Sequence, residues 1–103
     1  METVFVVVGS DTEVGKTYVS CDLLRALKQR GIPVRGVKPI ESGIRILNPS
    51  DEDGALLAEA SGQTNPRQAL VRLQEPVAPP LAADMEGHLL DWDTLVDKAR
   101  SHL

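Results

Sequence analysis

The chain has 103 residues, 42% of them hydrophobic, and its 15 acidic against 11 basic side chains give a formal net charge of −4. That length holds one domain at most, the hydrophobic content belongs to a globular chain rather than a disordered one, and the acidic balance recommends neither nucleic acid nor an anionic membrane as partner. The longest apolar run, residues 4–8, is too short to span a bilayer, Met1-Glu2-Thr3 is not a secretory leader, and one cysteine, Cys21, excludes an intrachain disulfide, so the chain reads as cytoplasmic.

Residues 3–8 form a β-branched and aromatic run without polar alternation, the pattern of a strand buried on both faces of a parallel sheet. It feeds Gly9-Ser10-Asp11-Thr12-Glu13-Val14-Gly15-Lys16-Thr17, which ends as a phosphate-binding loop ends. In such a loop, backbone N–H groups and a helix N-terminus face the phosphates, a lysine reaches the terminal phosphates and a hydroxyl ligates Mg²⁺. Lys16 and Thr17 are the residues for those two tasks. The first glycine stands one position early, at Gly9, with Ser10 where the common spacing has glycine. The strand before the loop and the helix pattern after it supply the context that the motif requires. The plainer reading is a strand-to-helix connection with Lys16 in solvent.

Residues 16–30 read as a helix with Val19, Leu23, Leu24 and Leu27 as its buried stripe, Cys21 as a small buried hydrophobe, Lys28 and Arg30 at its negative end and Gly31 as its stop. Residues 33–40 read as a second strand, ended by Pro39. Parallel to the first, it makes a right-handed βαβ unit, and ligands collect at the carboxyl ends of such strands. Lys38, Glu41 and Ser42 are then delivered beside the phosphates, although a lysine there also suits an edge strand. Residues 43–49 read as loop. Ser50 is the natural N-cap of a helix whose start holds Asp51, Glu52 and Asp53, whose apolar residues are Ala55, Leu56, Leu57 and Ala60, and which Gly62 closes. The helix dipole accounts for the three carboxylates, and one of them can also complete a Mg²⁺ shell.

Residues 63–80 are proline-rich connection with a short helix near 68–73, and Asp91 caps a last helix with the stripe Trp92, Leu95, Val96, Ala99 and Leu103. His88 and His102 lack partners at metal-ligand spacing. The fold class is α/β, a P-loop NTPase-like three-layer fold with a parallel sheet. No second apolar strand ends in Asp or Glu to hold a metal from the far side, so residues 1–103 read as the N-terminal portion of a single P-loop domain.

These residues together resemble dethiobiotin synthetase, an ATP-dependent family of biotin synthesis. The 9–17 loop, including its extra residue between the glycines, is similar to that family's phosphate loop, and Lys38-Pro39-Ile40-Glu41-Ser42-Gly43 to its second motif. Asp53 stands at its helix-opening metal aspartate, with Ala60-Ser61-Gly62 following, and Pro76-Val77-Ala78-Pro79-Pro80-Leu81-Ala82-Ala83 with Glu86-Gly87 is similar to a fourth segment. The resemblance implies a homodimeric ligase acting on ATP, CO₂ and 7,8-diaminopelargonic acid with Mg²⁺ as cofactor. It places Gly9, Asp11, Thr12, Glu13, Val14, Gly15, Lys16 and Thr17 around ATP. Thr17 and Asp53 fall on the metal. Thr12, Lys38 and Ser42 fall on the substrate, and with Lys16 they form the catalytic set. Pro79-Pro80 departs from the family's Pro-His, and its later Glu-Gly-Ala-Gly-Gly strand end and adenine-binding segments have no counterpart in these residues. Two other functions compete: a non-catalytic nucleotide- or phosphate-binding module, and a MinD/ParA-like ATPase. The second wants a lysine near the loop start, where this chain has Asp11, and a basic membrane-targeting helix, which the acidic C-terminal segment is not.

Overall fold

The computed structural model describes residues 13–102, with side chains from Lys16 onward; the expected strand at 3–8 and Gly9, Ser10, Asp11 and Thr12 lie outside the described residues. The first helix, α1, is Glu13–Gln29, so Gly15, Lys16 and Thr17 lie within its opening turns. Lys28 sits in its last turn, and Gly31 follows with φ 77°. The buried stripe differs from the expected one. Thr17 and Cys21 are buried, and Cys21 packs with Leu57 and Ala60 while half-buried Leu24 and Leu56 flank them. Val19, 63% exposed, lies two residues from both Thr17 and Cys21, and at roughly 100° per residue that turns it to the opposite face. Leu23 is exposed as well. Hydrophobicity alone picks Val19 and Leu23, whereas the helix buries the face that its partner helix covers.

The strand expected over 33–40 contributes only Ile40–Glu41 to a sheet, here β1. It pairs in parallel with β2, Val71–Arg72, in the register Ile40↔Val71 and Glu41↔Arg72. The earlier part of the segment has its backbone engaged elsewhere. Gly36 N–H donates to the Gln63 side-chain oxygen at 2.8 Å, and the Gln63 amide donates back to Gly36 O at 2.9 Å, so one glutamine side chain occupies the place of a neighbouring strand's peptide. A Cβ at Gly36 would press on Leu24 and Leu57, which shows how closely this segment crosses the contact between α1 and the helix that carries Leu57.

No helix forms over 68–73. The amides of Leu70, Val71 and Leu73 donate to the carbonyls of Lys38, Pro39 and Glu41 at 3.0, 2.9 and 2.8 Å, and this long-range ladder decides the segment's conformation over local propensity. Residues 43–49 are not plain loop either, since short 3₁₀ turns form at Ile44–Ile46 and Pro49–Asp51. The second turn absorbs Ser50, which therefore does not cap the next helix, α2, Asp53–Ser61. Gly62 ends α2 at φ 74°, a left-handed conformation that glycine adopts without steric cost.

Helix α3, Pro79–Met85, begins at the last two residues of the stretch expected to be proline-rich connection. Its prolines occupy the first helical positions, where the missing N–H costs nothing. Ala82 and Ala83 pack with Leu73 in a second core, flanked by Ile40, Val71, Val77 and Leu90. Helix α4, Trp92–Ser101, is capped by Asp91, which accepts from Thr94 N–H at 3.2 Å and from the Thr94 hydroxyl at 2.8 Å. Of its expected stripe Leu95 is buried, Ala99 half-buried, Trp92 and Val96 exposed, and Leu103 lies outside the described residues. Among the described residues no helix is long and apolar enough to cross a membrane.

Candidate functional site

Of the residues singled out by the sequence, Lys38 and Asp53 meet at the N-terminus of α2, and Ser42 lines the cleft beside them. A helix start leaves its first N–H groups without intrahelical partners, and a local Ser, Thr, Asp or Asn normally accepts from them. Here the N-cap residue is Glu52, and its side chain makes no capping bond. It turns instead to Arg72 of β2, with Oε1 and Oε2 each 2.8 Å from a guanidinium nitrogen. Glu52 is 1% exposed. A buried carboxylate needs such a fork, since each oxygen then has a charged donor in a fixed plane. The same bond holds the Arg72 guanidinium above its already high usual pKa.

The cap comes from Glu41, far away in sequence. Glu41 Oε2 accepts from Asp53 N–H at 2.7 Å and Oε1 from Gly54 N–H at 3.1 Å. Its carboxylate thus lies on the positive end of the α2 dipole. Glu41 is 3% exposed, and burial pushes its carboxyl above the ordinary range; the two N–H bonds oppose that rise, and the charges of Asp53 and Glu52 add to it. Gly54 admits the arrangement because a Cβ there would collide with the backbone of Gln68 and Ala69, the segment leading into β2.

Asp53 directs its own carboxylate to Lys38, with Nζ 3.2 Å from Oδ2 and the two side chains 23% and 15% exposed. Lys38 therefore meets Asp53 rather than serving as a solvent-facing edge lysine. Ser42 is half-buried and, with Glu41, Gly43, Asp51, Asp53 and Pro76, lines an open cleft of about 470 Å³. Thr17 is buried and Lys16 half-buried at the start of α1. Burial raises the Cys21 thiol pKa, Arg25 opposes this, and the charges of Asp22, Asp53 and Glu59 reinforce it. Thr17 lies on α1 one turn before Cys21, which packs with Leu57 and Ala60 of α2, and Asp53 opens α2, so the aspartate and the hydroxyl expected on a metal stand on two helices that pack together. Of Glu13, Val14 and Gly15 the backbone is helical. Gly9, Asp11 and Thr12, also expected at the site, lie outside the described residues.

The sequence singled out Lys38, Ser42 and Asp53, which the structure brings to one cleft, but it gave Glu41 no task and did not single out Arg72. Arg72 had a signal: it is a lone cation inside the apolar run Ala69-Leu70-Val71-Arg72-Leu73, where a buried carboxylate elsewhere is the natural complement.

A family model described as AAA domain matches residues 3–102. The chain belongs to the AAA domain family. Its membership agrees with the parallel β1–β2 pair and with α1 and α2 packed together against the chain crossing at Gly36. Within curated proteins it is similar to the ATP-dependent dethiobiotin synthetase BioD of Caulobacter vibrioides, 38% identical over 109 aligned residues that take in 100% of this chain and 48% of that protein. It is 39% identical to the protein of the same name from Alteromonas mediterranea over 101 residues, 90% of this chain and 43% of that one. The Methylobacterium nodulans protein of that name is 42% identical over 104 residues, 93% and 46% of the two chains. The chain spans about half the length of the curated relatives it matches. The resemblance read from the sequence motifs is thus a similarity that runs along the chain.

Proposed function

We propose that this chain carries the phosphate-binding and carbamate-handling side of an ATP- and Mg²⁺-dependent dethiobiotin synthetase. In that reaction one amine of 7,8-diaminopelargonic acid takes up CO₂ as a carbamate, and ATP phosphorylates a carbamate oxygen. The second amine then attacks the carbamate carbon, closing the cyclic urea with loss of phosphate. The observation that carries the reading is the Lys38–Asp53 pair at 3.2 Å, formed where β1 meets the start of α2 and beside the cleft that Ser42 lines.

Phosphoryl transfer asks mainly for positioning and for cations against charge on the equatorial oxygens. Lys16 would take the β- and γ-phosphates, with Gly9, Asp11, Thr12, Glu13, Val14 and Gly15 as the rest of the phosphate cradle. Lys38, Thr12 and Ser42 would hold the carbamate and the transferring group. Mg²⁺ takes one or two protein carboxylates beside phosphate oxygens and water. Asp53 and the Thr17 hydroxyl fit that donor set: both are hard oxygen ligands, Thr17 is buried, and Asp53 is held by its neighbours. When bound, the ion would neutralise developing charge on the phosphates. A homodimer belongs to the same reading and rests on the resemblance, and a cytoplasmic location is proposed with it from the short apolar run and acidic start of the sequence.

Phosphate release tests it, measured on this chain with Mg-ATP, bicarbonate and 7,8-diaminopelargonic acid beside Lys16→Ala. The expected outcome is release that needs every component and disappears in the variant. Release indifferent to the diamine would replace the synthetase with a simple ATPase, and ATP binding without release would leave a nucleotide-binding module.

A further inference from the structure

Asp53 is held at two points by one short segment. Lys38 takes its carboxylate at 3.2 Å, and Glu41, three residues on, takes its amide N–H at 2.7 Å. The second oxygen of Glu41 takes the next amide, Gly54, at 3.1 Å. The Glu41 carboxylate is itself shut away from water and sits on β1, whose pairing with β2 fixes its backbone. No local side chain does this work: Ser50 is inside a 3₁₀ turn, and Glu52 is committed to Arg72.

We infer that Glu41 is the positioning residue for Asp53, fixing where that carboxylate stands between Lys38 and the cation it would hold. This rests on the proposed nucleotide and metal reading and deepens it. With both oxygens engaged by N–H groups, Glu41 acts through the backbone of α2 and not as a ligand. Removing it frees two amides at a buried helix start and lets the first turn shift, which carries the Asp53 side chain away from its place. A purely structural cap would lower stability and leave the metal response of the folded protein unchanged. A positioning residue alters that response below the melting range.

The test is calorimetric titration of ATP into the chain across a series of Mg²⁺ concentrations, at a temperature well below the melting midpoint, for wild type, Glu41→Gln, Glu41→Ala and Asp53→Asn. Partners that orient a metal ligand typically matter 10–100-fold, so Glu41→Ala is expected to raise the Mg²⁺ concentration needed for half-maximal enhancement about tenfold, with Mg²⁺-free ATP affinity unchanged. Glu41→Gln, which keeps one acceptor oxygen and the side-chain shape, should recover part of that loss. A wild-type Mg²⁺ requirement in both Glu41 variants, with Asp53→Asn impaired, overturns the inference alone. No ATP binding by the wild type, or no effect of Asp53→Asn, overturns the metal reading and this inference with it.

Discussion

The surroundings of the α2 N-terminus and those of α3 and α4 are built with opposite treatments of charge. Around α2 the carboxylates are inside: Glu41 and Glu52 are almost wholly buried, and their partners come from other elements, β1 to α2 and α2 to β2. Around α3 and α4 the charged links are exposed. Asp91 caps within its own turn, and Glu86 accepts from the Gln74 and Glu75 amides at the surface, while Leu89, Trp92 and Val96 stand in solvent. Burying a carboxylate is costly unless donors replace its water, and a buried pair is seldom worth more than an apolar substitute. Stability alone therefore does not ask for the first arrangement. What it supplies is direction, because a bidentate fork or a two-amide cap allows one orientation of the groups it joins. The region with the candidate chemistry is the one held this way.

The comparison breaks most severely at Arg72. Arg72→Met leaves Glu52 buried without its donor and is expected to cost about 3 kcal/mol, measured by urea denaturation, with Arg72→Met/Glu52→Leu recovering most of it. An Arg72→Met loss as small as that of an exposed pair would erase the distinction between the two regions. Leu57→Ala and Leu73→Ala sharpen it, since one empties the core under α1 and α2 and the other the core under α3, each at about 2–3 kcal/mol. ATP affinity should fall with Leu57→Ala and hold with Leu73→Ala, as read by nucleotide titration of the folded variants. The smallest effect is expected at Asp91. Bonds from the Thr94 hydroxyl and amide hold its carboxyl below the ordinary value of 3.8, so its contribution is present above that pH and fades as pH falls through the depressed value. Thermal melts of wild type and Asp91→Ala should therefore differ slightly at neutral pH and converge in acid.

Elements marked by their own residues were legible in the sequence. Helix α1 announces itself by periodicity and by Gly31, α2 ends at Gly62, and Asp91 caps α4, all local signals read within a turn or two. Lys38 and Asp53 were legible because a motif and a helix start placed them. The rest depended on distance. Ser50 had the right chemistry for a cap, yet Pro49 drew it into a 3₁₀ turn, and the cap came from Glu41, 12 residues before the amide it accepts from. Residues 68–73 follow the carbonyls of Lys38, Pro39 and Glu41, which no local window contains. Pro79-Pro80 closed the stretch read as proline-rich connection, although prolines at the first helical positions start helices readily.

The way Asp53 is clamped also bears on the chain between its clamps. Glu41 and Asp53 meet directly, and the connection leaving β1 is tied early, the amides of Gly43, Ile44 and Arg45 donating to the carbonyls of Glu75, Leu73 and Gln74. Between the two 3₁₀ turns the exposed residues Leu47 and Asn48 then only have to bridge two fixed points. Closing a longer flexible bridge costs about 0.6 kcal/mol for each doubling of its length. This stretch is accordingly where the molecule can take on added residues, a peptide tag or an optical reporter beside the cleft, while Lys38, Glu41 and Asp53 keep their places.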